Sequence, residues 1–363
     1  MIYLFRPYVS EQAKKNVIDV LNSGTLTQGR YCDNFEEVLQ TYYNINNVSL
    51  TNSCTSGLQL CYKYIKKWFS NDEQRTVLSS PLTCLLSHLG MCHEDFNPAW
   101  CDVNKSNLNI NLDDVETKID RSIAAIHITR WGGNSLDYDR LYDIKKRYED
   151  KYNQTLFIVE DCAHLLYHNY IDFPSIKVFS GQAIKFCTGG DIGWIIAENE
   201  EQNKFFRKLR WAGLDRDNGE DFRSFQNVDD IGYKFNSNDV AASIALGNFN
   251  GALENVTKHQ ENAAFYDNYI RNEKVKLLPY DRYSNYWLYT LYVDDLEGFI
   301  DYMSRANIQV HQVHKRNDMY NIFWYHPLQN LNEIEDKYCC IPVGWWLSQD
   351  DKEYIVNTIN KWK

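Results

Sequence analysis

The sequence predicts an α/β fold built on a mostly parallel sheet with helices on both faces. Two observations carry this. Short apolar runs at 76–79, 123–128, 156–159 and 192–197 have the length and content of buried strands. Helical patterns lie between several of them, and strands that alternate with helices imply crossover connections and parallel pairing. A chain of 363 residues with 44% hydrophobic content is long enough for one large domain and a smaller one, expected at 1–250 and 251–363.

The elements follow in order. Ser10 can cap a first helix whose apolar residues are Val17, Ile18 and Leu21, with Gly24 ending it. Asp33 can cap a second helix over 35–43, and a short strand follows at 48–50. Leu58, Cys61, Ile65 and Phe69 fall on one face of a third helix, and 136–148 reads as a further helix between two strands. No repeat, low-complexity tract or Pro/Gly-rich linker interrupts the chain.

Composition excludes several function classes. A net charge of −11 argues against a nucleic-acid surface. No apolar run approaches the roughly 20 residues of a membrane helix. The opening residues lack the apolar stretch and small-residue cleavage site of a signal peptide. The ten cysteines form no CxxC or zinc-type spacing, so reduced thiols, no metal centre and a cytoplasmic setting are expected.

In sheets of this kind ligands bind beyond the carboxyl ends of the strands, and three such places carry candidate chemistry. Asn52-Ser53-Cys54-Thr55-Ser56-Gly57 follows a strand and opens a helix; its hydroxyls and amides suit a phosphate, or serve as an ordinary helix cap. Glu160-Asp161-Cys162-Ala163-His164 ends a buried strand, where a carboxylate needs a partner: a cationic ring nitrogen, or a structural ion pair. His164 by itself reads as a satisfied structural histidine rather than a ligand. Lys185 sits among Ala183, Ile184 and Phe186 before the turn Thr188-Gly189-Gly190. Burial there would lower its pKa and make the amine nucleophilic; otherwise it is a snorkelling lysine.

Together these motifs resemble the DegT/DnrJ/EryC1/StrS family of sugar aminotransferases. The likeness includes Ser23-Gly24-Thr25-Leu26-Thr27-Gln28-Gly29, the Ser180-to-Lys185 spacing, Gly232-Tyr233-Lys234-Phe235 with Asn238-Asp239, His314-x-Arg316-Asn317-Asp318, and Ile341-Pro342-Val343-Gly344-Trp345-Trp346-Leu347. The resemblance implies a pyridoxal-phosphate (PLP) enzyme of fold type I: a large domain with a mostly parallel sheet plus a smaller C-terminal α+β domain. It implies a homodimer with shared active sites, and transfer of an amino group from glutamate or glutamine to a nucleotide-linked keto-sugar. It also implies residue roles. Lys185 would bind the cofactor covalently and shuttle a proton, and Asp161 would pair with the ring nitrogen. Ser180, Ser53, Cys54, Thr55 and Ser56 would hold the phosphate, His164 and Cys84 would lie by the ring, and Lys234 would reach the partner's phosphate. His314 and Arg316 would touch substrate. The chain departs from the family pattern at Cys54 (glycine), Cys84 (often aromatic), Gly181 (Phe) and Asp191-Ile192-Gly193 (a Gly-Gly pair). A lysine at 185 argues against the family's dehydratase branch, which has histidine there. Two other readings stay open, a fold-type I enzyme acting on another carbonyl compound and a non-catalytic relative that binds PLP or a nucleotide sugar.

Overall fold

A computed structural model describes residues 1–69, 75–217 and 226–363. The chain opens with α1 (Glu11–Ser23), α2 (Arg30–Tyr43), β1 (Val48–Thr51), α3 (Cys54–Lys66), β2 (Thr76–Ser79), α4 (Leu85–His93) and β3 (Asn97–Trp100). It continues through α5 (Leu112–Lys118), β4 (Ile123–Thr129), α6 (Tyr138–Tyr152), β5 (Phe157–Asp161), β6 (Ile176–Ser180), β7 (Gly193–Ile196) and α7 (Glu200–Leu209). The last third comprises α8 (Asp239–Tyr269), β8 (Val275–Leu277), β9 (Tyr289–Val293), α9 (Leu296–Arg305), α10 (Gln329–Ile334), β10 (Tyr338–Ile341) and α11 (Gln349–Lys361).

Seven strands form one sheet in the order β1-β7-β6-β5-β4-β2-β3. The expected parallel pairing is present from β3 across to β6, and β7 alone runs against both its neighbours. Strands β3 and β6 went unread in the sequence: Asn97-Pro98-Ala99-Trp100 lacks an apolar run, and Lys177 interrupts the other. A second sheet, β10-β9-β8, is antiparallel and packs with α9 and α11 around Tyr266, Leu291, Phe299 and Ile355. Residue 250 lies inside α8, whose 31 residues run from the large sheet's helices to the second core.

The first two helices correct the sequence reading. Ser10 and Gly24 do cap α1, but Ile18 and Leu21 are 57% and 58% exposed. The buried face carries Ala13, Asn16 and Val20. Small residues win because α1 crosses α8 closely: a Cβ on Gly247 would lie 2.4 Å from the Ala13 nitrogen. The Asn16 amide donates to the Ser243 carbonyl across the same contact (3.1 Å). Asp33 does not cap α2, which begins at Arg30. The acceptor there is Asp239, at the start of α8, taking the amides of Gly29 (2.8 Å), Cys32 (3.1 Å) and Tyr31 (3.3 Å). A buried carboxylate at that end also opposes the helix dipole. Asp239→Ala is therefore expected to cost about 1–2 kcal/mol, the range for losing a helix cap. A lowered urea midpoint with unchanged slope would register it.

All ten cysteines are free. Among the described residues no helix is long and apolar enough to cross a membrane.

Candidate active site

Three parallel strands, β4, β5 and β6, end side by side on Thr129, Asp161 and Ser180. All three residues line a cavity of about 1070 Å³, closed on the far side by residues of the last third of the chain. The N-terminus of α3 supplies Ser53, Cys54 and Thr55; the loop before α4 supplies Thr83 and Cys84. Ser53 caps α3, its Oγ accepting from the Ser56 amide (3.1 Å). Ser56 itself lies off the lining. Gly193 makes this arrangement possible, since a Cβ there would fall 2.5 Å from the Ser53 carbonyl carbon and 2.6 Å from the Cys54 nitrogen.

Neighbouring carboxylates on β5 part company because successive side chains face opposite ways. Glu160 faces away from the cavity, into a buried cluster where it meets Tyr138 (2.5 Å), His168 (3.1 Å), Ser175 and Lys177 (3.8 Å). That is the structural ion pair. Asp161 faces the cavity and is held in place by Ser87, whose Oγ donates to Oδ2 (2.5 Å), and by the Ala163 amide, which donates to Oδ1 (3.0 Å). The Cys54 thiol lies 3.7 Å from the same Oδ1, and burial pushes its pKa well up, so it stays a neutral donor.

Lys185 reaches the cavity on the loop between β6 and β7. That loop is closed at its base by Gly181 N–H donating to the Ile192 carbonyl (2.7 Å) and Gly189 N–H donating to the Gly181 carbonyl (3.0 Å). The two departures here complete each other. A Cβ on Gly181 would meet the Ile192 Cγ2 at 2.4 Å, so the isoleucine fills the space a Phe at 181 would need. Burial lowers the Lys185 pKa to about 8, opposed by the negative charge of Asp161 and the thiols of Cys84 and Cys54. Its amine lies 3.3 Å from the centroid of the Trp287 ring.

His164 stacks on Trp287 (4.0 Å between centroids, 22° between planes) and lies parallel to His314 (5.5 Å, 3°). The Gly132 amide donates to His164 Nδ1 (3.1 Å). Burial and the neighbouring Lys185 charge hold both imidazoles neutral, His314 down to about 3. The Thr129 hydroxyl and His314 Nε2 are buried at the cavity without a hydrogen-bond partner among the described residues. Such orphans mark where a ligand's polar atoms belong. With hydroxyls and helix amides at one end and an amine beside a carboxylate at the other, the residues fit a phosphorylated pyridinium compound.

Two expected residues are not brought together with the rest. Arg316 does not line the cavity. Its guanidinium is taken up by both oxygens of Asp318 (2.7 Å each), Glu335 (2.6 Å), Asn332 (2.6 Å) and the His326 carbonyl (2.9 Å). A direct substrate contact for Arg316 is corrected accordingly. It braces the segment whose Asn317 side chain holds the Cys84 carbonyl (3.2 Å) and His88 (2.9 Å). Lys234 is exposed and lies outside this cavity, its amine 3.0 Å from the centroid of Trp211. Residues missed in the sequence include Thr129, Ser87, Gln182 and Trp287, with the loop Trp131-Gly132-Gly133 behind them. The Trp-Gly-Gly turn directly after β4 was a usable signal; Ser87 and Trp287 offered none.

Residues 7–360 match the DegT/DnrJ/EryC1/StrS aminotransferase family. The chain is similar to AtS13 from Actinomadura melliaura, at 32% identity with a TM-score of 0.95, covering 100% of this chain and 99% of that one. It is also similar to the sugar aminotransferase CalS13 from Micromonospora echinospora (28%, TM-score 0.94, all of both chains). Among curated relatives, a UDP-4-amino-4,6-dideoxy-N-acetyl-beta-L-altrosamine transaminase of Campylobacter jejuni is 23% identical, over 97% of this chain and 96% of its own length.

Proposed function

The chain belongs to the DegT/DnrJ/EryC1/StrS aminotransferase family, whose members depend on PLP, and on that premise we propose that it transfers an amino group from glutamate or glutamine to a nucleotide-linked keto-sugar. The observation that carries this reading is one cavity shared by the Lys185 amine, the buried Asp161 carboxylate and the hydroxyl-lined start of α3. The substrate class is supported by the relatives named for such sugars.

PLP, when bound, supplies the electron sink for the carbanion that amine transfer requires. The protein's share is position, charge and proton movement. Ser53, Cys54, Thr55 and Ser180 hold the phosphate end with hydroxyls and helix amides, and Ser56 serves by fixing Ser53. Asp161 would pair with the ring nitrogen and hold a proton there, and its bonds from Ser87 and Ala163 fix the carboxylate toward the cavity. Lys185 binds the cofactor covalently and, as a free amine, takes a proton from the substrate carbon and returns it; a pKa near 8 suits that exchange at neutral pH. Cys84 and His164, both on the cavity lining, would lie by the ring, and His314 Nε2, unpartnered among the described residues, would meet substrate.

We assign Lys234 to the phosphate of a second subunit, making the enzyme a homodimer with shared sites, active in the cytoplasm. We also divide the chain into a large part to about residue 250 and a smaller part beyond, with α8 common to both.

Amine transfer from glutamate to a panel of nucleotide keto-sugars tests the function. Half-transfer without any sugar acceptor would move the assignment to another carbonyl substrate. Absence of half-transfer despite bound PLP would make the chain a binding protein. Borohydride should fix the cofactor on Lys185, read by peptide mass mapping; label on Lys177 would reject the site.

The shared site has its own test. Lys185→Ala should be inactive, and Lys234→Glu should bind PLP poorly at limiting cofactor, because like charges repel. In a mixed dimer with sites built from both chains, one site keeps both lysines and the other keeps neither. Mixing under conditions of subunit exchange should therefore restore activity. Proven exchange without recovery would mean that each site draws both lysines from one chain.

A further inference from the structure

Trp287 has no part in the assignment so far, yet its side chain is held at the site from several directions. It is 3% exposed. Its indole N–H donates to the carbonyl of Ile184, the residue before Lys185 (3.1 Å). Its backbone N–H donates to the Gly132 carbonyl (2.8 Å), and the amide of that same glycine holds His164 (3.1 Å). Phe5 stacks on the indole at 4.9 Å and 22°, and His164 at 4.0 Å and 22°. Gly132 is left-handed (φ 61°), and a Cβ there would come within 3.1 Å of the Leu288 carbonyl oxygen. The strand end carrying Trp287 therefore presses on a turn that only glycine fits comfortably. The ring is fixed from both the lysine loop and the sheet, and the Lys185 amine lies against its face at 3.3 Å.

From this geometry we propose that Trp287 is the positioning residue for Lys185: its indole face is the seat on which the amine rests whenever it is not covalently engaged. A ring face attracts an ammonium through its quadrupole, most strongly when the pair is desolvated. Without such a seat, a flexible four-carbon stem would let the released amine turn toward the Asp161 carboxylate, the nearest full negative charge. The groups facing the amine are Asp161 on β5, Cys54 at the start of α3, Cys84 before α4, and the neutral imidazoles of His164 and His314. None of these holds it at a fixed point as a face does. The proposal rests on the reading of Lys185 as the cofactor's lysine, but it concerns the chain's own residues and is measurable with the cofactor removed.

The full-length protein, freed of PLP with hydroxylamine, is labelled by reductive methylation across a pH series, and modification of Lys185 is read by peptide mass spectrometry. The wild-type midpoint is expected near pH 8. Trp287→Leu removes the face that favours the cation, so its midpoint should fall by roughly half to one pH unit. Trp287→Phe keeps a face and should restore most of the difference. An unmoved midpoint in Trp287→Leu, or a Phe variant no better than Leu, overturns the proposal.

A second readout does not depend on the Leu variant folding. An amine on the indole face should give the wild-type protein a tryptophan-emission step with a midpoint near pH 8. The step should vanish in Lys185→Met and in Trp287→Phe alike, and its survival in Trp287→Phe overturns the proposal. Borohydride fixation separates the two hypotheses. Cofactor fixed on Lys185 with no Trp287 effect rejects the seat alone; no fixation on Lys185, with the emission step intact, rejects the cofactor reading alone.

Discussion

Lys185→Ala should abolish amine transfer, lowering the rate by more than about ten-thousand-fold, beyond what one positioned acid–base group commonly contributes. The variant loses two things at once, the covalent hold on the cofactor and the amine that faces Asp161, Cys54 and Cys84. Lys315 lines the same cavity from the last third of the chain, but it follows His314, on the far side from the strand ends. Single-turnover measurement with glutamate is the appropriate check, because it isolates the proton transfer from product release. The fold should survive the change, since the loop is closed by backbone bonds at Gly181 and Gly189 that do not involve the lysine side chain. A variant with more than a few per cent of the wild-type half-reaction would remove Lys185 from the chemistry.

Asp161→Asn is expected to keep bound cofactor and lose roughly a hundred- to a thousand-fold in the half-reaction, the range for losing one preorganised electrostatic contact. A carboxylate can hold a proton on the ring nitrogen; a neutral amide of the same shape cannot, so the electron sink weakens while the packing stays. The neighbourhood predicts a second cost. Ser87 donates to Oδ2 and the Ala163 amide to Oδ1, and the amide nitrogen of Asn would face one of these donors instead of accepting from it. Near-wild-type rates would make Asp161 a structural residue, the role Glu160 already fills on the opposite face of the sheet.

The difference between those two carboxylates bears on what the sequence could reveal. Both stand at the end of one apolar run, and alternation says only that they face opposite ways. Which face holds the cavity depends on β4 and β6 arriving on either side, and neither direction nor sheet order is written in a local pattern. The strand-end residue Asp161, the α3 cap at Ser53 and Lys185 were legible as candidates because each depends on its own neighbours in the chain, whereas Ser180 entered only through the family resemblance. Ser87 and Trp287 were not, because what makes them matter is a contact with Asp161 in one case and with Lys185 in the other, each from a distant segment. Arg316 failed for the same reason in reverse. A cation near the end of the chain reads as a candidate for an anionic substrate until Asp318 and Glu335 are seen to occupy it. In α1 the pattern misled outright: large apolar residues marked the wrong face because helix crossing distance, set by Ala13 and Gly247, outweighed side-chain area.

α8 has a mechanical consequence. At 31 residues it is a rod about 46 Å long. Its first turn is clamped, with Asp239 bound to the start of α2 and the Ala241 carbonyl so close to Gly189 that a Cβ there would sit 2.5 Å away. Its last turns are embedded in the second core through Ala263 and Tyr266. Between these ends Ala245, Phe249, Ala252 and Val256 sit in the large core, so the helix is a strut that ties the two cores together. Any displacement of the second core relative to the large sheet would therefore have to bend this helix or draw it out of the large core, so the lining residues of the last third, Trp287 among them, are held in register with the strand ends.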